Sequence, residues 1–301
     1  MEEFFHQLTN GLAVGGIYAL IALGYTMVYG VLRLINFAHG DLFTLGSYLG
    51  LTLLFSLGLQ GKMSGILVGG ALIVMSMGLV AVVGYLLERV AYRPLRGANR
   101  LAAVVSALGA SIFFSNAIML VYGARSQVYP NGILPSVAVS LLGVDIPLMR
   151  IVMFVGTVVL MLLLYWFINH TRIGTAIRAV AIDQDTAKLM GINVDRVISL
   201  VFFIGAGLGG VAGVMVGTYY GQIDFTMGWS YGLKAFTAAI MGGIGNIPGA
   251  MVGGILLGVL EAMGAAYVSI AWKDAIAFLV LILILIFRPT GLLGERVAEK
   301  I

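Results

Sequence analysis

Ionisable residues are rare in this chain, so those set within apolar sequence are its first candidates for chemistry. Glu261 lies near the middle of an apolar run, GILLGVLEAMGAAY, where it shares a helix face with Gly254 and Gly258. A charged side chain at mid-bilayer costs roughly 2.5–3.5 kcal/mol on insertion scales, so Glu261 has to face a cavity or a partner. Two roles fit it: a group on a solute path, or a hydrogen-bonded packing residue paired with Asn116 of another apolar run. A second cluster, Asn36, His39 and Asp41, follows the first apolar run in GVLRLINFAHGDLFTLGSY (30–48). These side chains, with backbone groups freed at a helix break, could offer donors and acceptors to a zwitterion on a translocation path. They could equally cap a helix at the membrane surface.

Other chemistries lack their residues. There are no cysteines, which removes thiolate metal sites, disulfides and thiol nucleophiles. The three histidines, His6, His39 and His170, fall near the ends of apolar runs, and H-E-x-x-H does not occur. No metal site is expected, nor any hydrolytic activity. The phosphate loop G-x-x-x-x-G-K-[ST] is also missing, so the chain is not expected to hydrolyse ATP by that route.

The elements that must position these residues are membrane helices. Of the 301 residues 60% are hydrophobic and 10% charged, and mean hydropathy is +1.05, far from the roughly 25% charged residues of soluble domains. The whole chain, 1–301, reads as one all-α polytopic domain. A span needs about 20 apolar residues, which predicts helices at 11–32, 42–59, 65–87, 101–122, 149–168, 198–220, 249–268 and 273–287. KAFTAAIMGGIGNI (234–247), closed by Pro248, is too short to cross upright and reads as a half-helix or a strongly tilted segment. The expected total is therefore eight or nine spans. The opening MEEFFHQLTN has no basic stretch before its apolar run, so the first span is expected to be retained rather than cleaved as a signal peptide.

With nine crossings and the N terminus outside, the cytoplasmic side receives Arg33, Arg89, Arg93, Arg96, Arg100, four cations of a polar insert, Arg288, Arg296 and Lys300. That is twelve of the 17 Lys and Arg residues; Lys62, Arg125, Arg150, Lys234 and Lys273 fall outside. The positive-inside rule supports this orientation, with the C terminus in the cytoplasm.

The insert is NHTRIGTAIRAVAIDQDTAKLMGINVDRV (169–197), which holds Arg172, Arg178, Lys188 and Arg196 against Asp183, Asp185 and Asp195. It divides into two short helices. The first, near 172–182, carries Ile173, Ile177, Val180 and Ala181 on one face able to lie on the bundle. The second begins with Asp183 as N-cap, has Asp185 beside the positive end of its dipole, and stops at Gly191. Neither is long enough to be stable alone in water, so each must be held in place. A solvated connecting loop and a docking element are both compatible with this pattern.

Small residues recur every four positions at Gly205, Gly209, Gly213, Gly217 and Gly221, at Ala103, Ala107, Ser111 and Ser115, and at Ala250, Gly254, Gly258, Ala262 and Ala266. Such ladders let helices approach closely in lipid; packing within the subunit is the first reading and dimerisation the second. Segments 30–48 and 221–236 also resemble each other through Ile35-Asn36-Phe37 and Ile223-Asp224-Phe225, each between glycines. Five crossings separate them, so a repeat would be inverted, as in many transporters with broken helices.

DTAKLMGINVDRVISLV (185–201) resembles the EAA loop of ABC importer permeases, with Asp185, Thr186, Ala187, Gly191 and Val201 in the motif positions. It departs in having Asp185 for Glu and Thr186 for Ala, and in lacking the later proline. Residues 12–48, 88–97 (ERVAYRPLRG) and 234–258 are similar to the branched-chain amino-acid ABC importer permeases, most of all to the shorter of the two paired permeases of the high-affinity system. The likeness covers nearly the full chain. It implies a type II importer-like permease in the bacterial inner membrane, in a heterodimer with a second homologous permease. Two cytoplasmic ATPases that bind ATP and Mg²⁺ and a periplasmic substrate-binding protein complete the assembly; no nucleic acid takes part. It further implies that 172–191 is the coupling segment, with Arg178, Asp183, Asp185 and Lys188 as candidate ATPase contacts. Urea, amides and other neutral amino acids remain alternative substrates on the same scaffold. A proton-coupled secondary transporter is a more distant alternative, since only Glu261 could serve its carboxylate relay.

Overall fold

The computed structural model describes residues 2–58, 65–130, 137–141 and 144–294. Lys62, Arg296 and Lys300 of the charge count, and Leu59 at the predicted end of the second span, lie outside the described residues. The helices are α1 (Glu2–Leu32), α2 (His39–Ser56), α3 (Gly65–Leu87), α4 (Arg100–Tyr122), α5 (Leu148–His170), α6 (Arg172–Ile182), α7 (Gln184–Leu189), α8 (Val194–Tyr220), α9 (Met227–Gly242), α10 (Ile247–Tyr267) and α11 (Lys273–Phe287). A π-helical turn, Glu88–Tyr92, and a 3₁₀ turn, Arg93–Leu95, follow α3, and a second 3₁₀ turn, Ile270–Trp272, precedes α11. Seven of the described helical stretches are long and apolar enough to cross a membrane. The protein is a multi-pass, all-α membrane protein.

The core is not where hydropathy alone would put it. The apolar middle stretches of α1 and α8 are buried almost throughout, whereas α4, α5 and α11 expose most of their apolar surface. α1 takes the centre because its glycines admit neighbouring backbones: a β-carbon at Gly15 would stand 2.8 Å from Ile255 Cα, and one at Gly11 2.7 Å from Val259 Cα. In lipid this contact area, rather than exclusion of water, holds helices together. The ladder of α8 is used the same way. Gly205 meets Gly24, Gly209 faces His39, Gly213 meets Phe43 and Gly46, and Gly217 lies against the Tyr129 ring, so that face is spent inside the subunit.

Helix order confirms an internal inversion. Exchanging α1, α2, α3 and α4 for α8, α9, α10 and α11 preserves the packing: α1 lies on α10 and α8 on α3, α2 on α8 and α9 on α1, α2 on α4 and α9 on α11. α1 and α8 break at opposite ends. Arg33, just past α1, donates to Ala181 O of α6 (3.3 Å), whereas the residues past α8 form β4 (Gln222–Ile223), paired antiparallel with β1 (Gln127–Val128) at the other end. A second ribbon, β2 (Ala138–Leu141) with β3 (Val144–Pro147), also lies outside the helices. Neither ribbon was expected from periodicity, because two- to four-residue strands carry almost no pattern.

Several predicted boundaries move. α1 starts at Glu2, not 11, because its opening polar turn puts Glu2 and Glu3 at the positive end of the helix. α2 starts at His39 and brings His39, Asp41 and Thr44 into the interior. The short segment expected at 234–247 is α9, Met227–Gly242; Pro248 does not close it but sits in the first turn of α10, where its missing N–H costs nothing. The break is made by Gly243 (φ 110°) and Gly245 (φ 95°). At 16 residues α9 is about 24 Å long, an interior helix short of the bilayer.

Candidate functional site

Three groups of polar residues occupy different levels of the bundle. The innermost lies where the chain leaves α1, crosses Arg33–Ala38 and enters α2. Arg33 adopts a left-handed conformation, φ 55°, at this turn. Asn36 is buried and accepts a hydrogen bond from Tyr92 Oη of the π turn (2.7 Å). His39 is buried against Gly24 and Gly209, with Tyr25 edge-on at 4.8 Å. Asp41, also buried, accepts from Ser111 Oγ (2.5 Å) and Ser115 Oγ (2.6 Å), one helical turn apart on α4. Those two serines belong to a ladder legible in the sequence only as small residues; nothing there linked them to a carboxylate 70 residues away. α2 and α9 cross beside this cluster at Gly40 and Gly228, where a β-carbon on Gly228 would stand 2.6 Å from Gly40 O. The adjacent cavity, lined by Tyr25, Asp41, Ser111, Trp229 and Phe236, holds about 20 Å³, enough for one water.

Glu261 is at another level. It is four residues beyond the centre of α10, toward the end where α11 begins, rather than at mid-span. Its Oε2 accepts from Tyr18 Oη (2.7 Å) and its Oε1 from Lys234 Nζ (2.7 Å), with Lys273 Nζ at 3.4 Å. Lys234 also pairs with Asp274 at 2.8 Å. Two lysines thus meet two carboxylates. The expected Asn116 partner is not there: Asn116 is exposed on α4 and donates to Ile112 O of its own helix (2.7 Å), because α4 lies on the far side of α2. An aromatic layer, Tyr18, Phe43, Tyr220 and Tyr231, separates the Glu261 cluster from His39 and Asp41, with Phe43 and Tyr231 centroids 5.2 Å apart.

The third group is the polar insert, at the same end as the Arg33 turn. It forms the two expected helices. Thr171 caps α6 by accepting from Gly174 N, and Asp183 caps α7 by accepting from Asp185 N and Thr186 N (2.9 and 3.0 Å). Gly191 takes φ 82° after the last turn. Ile177 and Val180 are buried against the bundle as expected, with Gly174 beside them on Phe167 and Ile168 carbonyls; Ile173 instead points outward, nearly half exposed. Ala187 is buried and Thr186 exposed; Asp185 and Lys188 pair with each other at 3.0 Å, and Arg178 donates to Asn169 Oδ1 (2.8 Å). The sequence reading missed the apolar members of this surface. Ile182, Leu189 and Met190 are 84, 87 and 78% exposed, beside Arg178, Asp185 and Lys188. The insert is tied to the first break directly: Gln184 Nε2 donates to Val31 O at 2.8 Å, and Arg33 to Ala181 O.

Residues 7–285 match the family described as branched-chain amino acid transport system / permease component. The chain belongs to that family. It is 48% identical to the high-affinity branched-chain amino acid transport system permease protein BraD of Pseudomonas aeruginosa, with all of both chains covered. It is 45% identical to the corresponding protein LivH of Escherichia coli K12, over 99% of this chain and 98% of that one. A probable branched-chain amino acid transport permease, LivH of Methanocaldococcus jannaschii, is 28% identical over 95% of this permease and 91% of its own length. These relatives are transport permeases, components of larger transport systems, and not enzymes.

Proposed function

We propose that this chain is a membrane subunit of an ATP-driven importer that carries branched-chain amino acids inward across the bacterial cytoplasmic membrane. The permease family and the full-length relatives named for that substrate class support the reading. ATP and Mg²⁺ are then bound by two cytoplasmic ATPase subunits, consistent with the missing phosphate loop. A second permease and a periplasmic binding protein complete the assembly, with the insert and the C terminus in the cytoplasm and the N terminus outside.

One observation carries the mechanism. The insert is bonded to the turn that precedes Asn36, His39 and Asp41, through Gln184 to Val31 and Arg33 to Ala181. An ATPase seated on Ile182, Leu189 and Met190, with Arg178, Asp183, Asp185, Thr186 and Lys188 around them, would therefore move the end of α1 and the start of α2 together. Movement there separates α2 from α9 at the Gly40–Gly228 crossing and opens the polar cluster at Asn36, His39 and Asp41 to solute. In the conformation described, that point is closed. Glu261 and Lys234 hold α9, α10, α11 and α1 together beyond the aromatic layer, a structural clamp rather than a proton relay.

The test is reconstitution of the chain with its partner subunits in liposomes, scored by ATP hydrolysis stimulated by the loaded binding protein. Leu189→Asp should abolish stimulation while the chain still folds, since Leu189 faces solvent. Full stimulation in that variant would remove the insert from the coupling path. Uptake of leucine by the chain alone under a proton gradient would overturn the ATP-driven assignment.

A further inference from the structure

On the end of the bundle that carries the insert, an open recess of about 870 Å³ lies between the end of α3 and the first turns of α8. Arg89, Arg93 and Arg196 stand at its mouth with Asp195, and Tyr85, Leu200 and Phe203 line its wall. The charges do not cancel. Arg93 and Arg96 share Asp195 at 2.6 Å each, and Arg96 also meets the fully buried Glu88, which accepts from Ser199 Oγ at 2.6 Å. Among the described residues Arg89 donates only to Tyr85 Oη (3.0 Å), and Arg196 forms no side-chain ion pair. Two guanidiniums therefore face the recess without a carboxylate. α8, 27 residues long, begins here with Asn193 as N-cap, so the positive end of its dipole adds to the same potential.

The wall has the opposite character. Phe203 lies nine residues into α8, about 14 Å along the axis from Val194, and Tyr85 lies inside the apolar run of α3. The recess thus runs from a cationic mouth at the polar boundary to an apolar wall within the hydrocarbon zone. A small soluble anion would satisfy the mouth and leave the wall empty, while a soluble protein partner would reach the mouth alone. An amphiphile with an anionic head matches both.

We propose that this recess binds an anionic phospholipid, its phosphate between Arg89 and Arg196 and an acyl chain along Tyr85, Leu200 and Phe203. The occupant would brace α3 against α8 beside the insert. The proposal rests on placement in a membrane and not on the transported solute.

Native mass spectrometry of the full-length chain in detergent, titrated with phosphatidylglycerol or phosphatidylcholine, tests it. Phosphatidylglycerol should bind at least tenfold more tightly. The Arg89→Gln/Arg196→Gln double variant should lose that preference with an unchanged melting temperature, both side chains being exposed. Phe203→Ser should weaken phosphatidylglycerol several-fold while leaving its preference over phosphatidylcholine. Should the double variant fold poorly, each single variant should lose part of the preference. Equal binding of the two lipids, or an unaltered preference in folded Arg variants, would overturn the proposal. So would glycerol 3-phosphate or inorganic phosphate competing as well as the lipid itself, which would mark a soluble-anion site. Displacement of the lipid by an ATPase subunit occupying the recess would also overturn it.

Discussion

Replacing Lys234 by methionine isolates the energetics of the clamp around Glu261. Lys234 is 14% exposed and Glu261 9%, so neither charge can fall back on water when its partner goes. Lys234 Nζ stands 2.7 Å from Glu261 and 2.8 Å from Asp274, with Lys273 3.4 Å from Glu261. Methionine keeps a side chain of similar length but leaves two carboxylates to one lysine. Breaking a buried pair from one side costs about 3–5 kcal/mol; Lys273 and Tyr18 still hold Glu261, which puts the expected loss near the lower end, about 3 kcal/mol. Glu261→Gln is milder, about 1–2 kcal/mol, because the amide still accepts from Tyr18 and Lys234 keeps Asp274. The double variant Lys234→Met/Glu261→Gln should cost less than the sum by about 2 kcal/mol, a coupling that additivity would hide. The assay is reversible unfolding of the purified chain in mixed micelles titrated with a denaturing detergent. Losses under about 0.5 kcal/mol in both single variants, with additivity in the double, would show a solvated surface pair and refute the reasoning.

Ser111→Ala and Ser115→Ala each remove one donor from the buried Asp41 carboxylate, so each should destabilise by about 1.5–3 kcal/mol, and the pair together should cut uptake in reconstituted importer far more than either alone. Gly15→Ala should destabilise by several kcal/mol because its β-carbon has no room beside Ile255, whereas Gly70→Ala, with open space around it, should be neutral or stabilising by about 0.5–1 kcal/mol; unfolding midpoints compare them. Asp224 is partly buried, which by itself raises a carboxyl, but hydrogen bonds from Thr226 Oγ1, Thr226 N and Ser126 Oγ outweigh this and hold it below the usual carboxylate range. A depressed native value means that Asp224 contributes stability above the unfolded value of about 4 and loses it as pH falls through the native one. Asp224→Asn should therefore lower the melting temperature at pH 7, and the gap to the unaltered protein should close on acidification; a gap independent of pH would show that the charge is not what matters.

The helices of this chain were legible because hydropathy and length act locally. So were the caps of the insert: Asp183 at the start of α7 and Gly191 at its end are decided within one turn of backbone. Boundaries failed where a local sign had two meanings. Pro248 ends helices and also begins them, and only the glycine break at 243–245 settles which occurs here. The candidate site was half legible. Asn36, His39 and Asp41 stood out as polar residues in apolar sequence, but Ser111 and Ser115 read as spacers, and Ile182, Leu189 and Met190 read as ordinary apolar residues until their exposure was known.

By itself the sequence determined that this is a polytopic helical membrane protein in which the G-x-x-x-x-G-K-[ST] phosphate loop does not occur, with one dense ionic insert, and that its small residues fall on helix faces. Each of these follows from composition or short-range spacing. The tertiary structure alone decided that Glu261 meets Lys234 and Tyr18 rather than Asn116, that α1 occupies the centre, and that the insert is bonded to the turn before His39. Those outcomes depend on which glycine faces admit which neighbouring backbone, as at Gly15 with Ile255 and Gly40 with Gly228. Close packing is a property of paired surfaces, and no single stretch of chain contains both members of a pair.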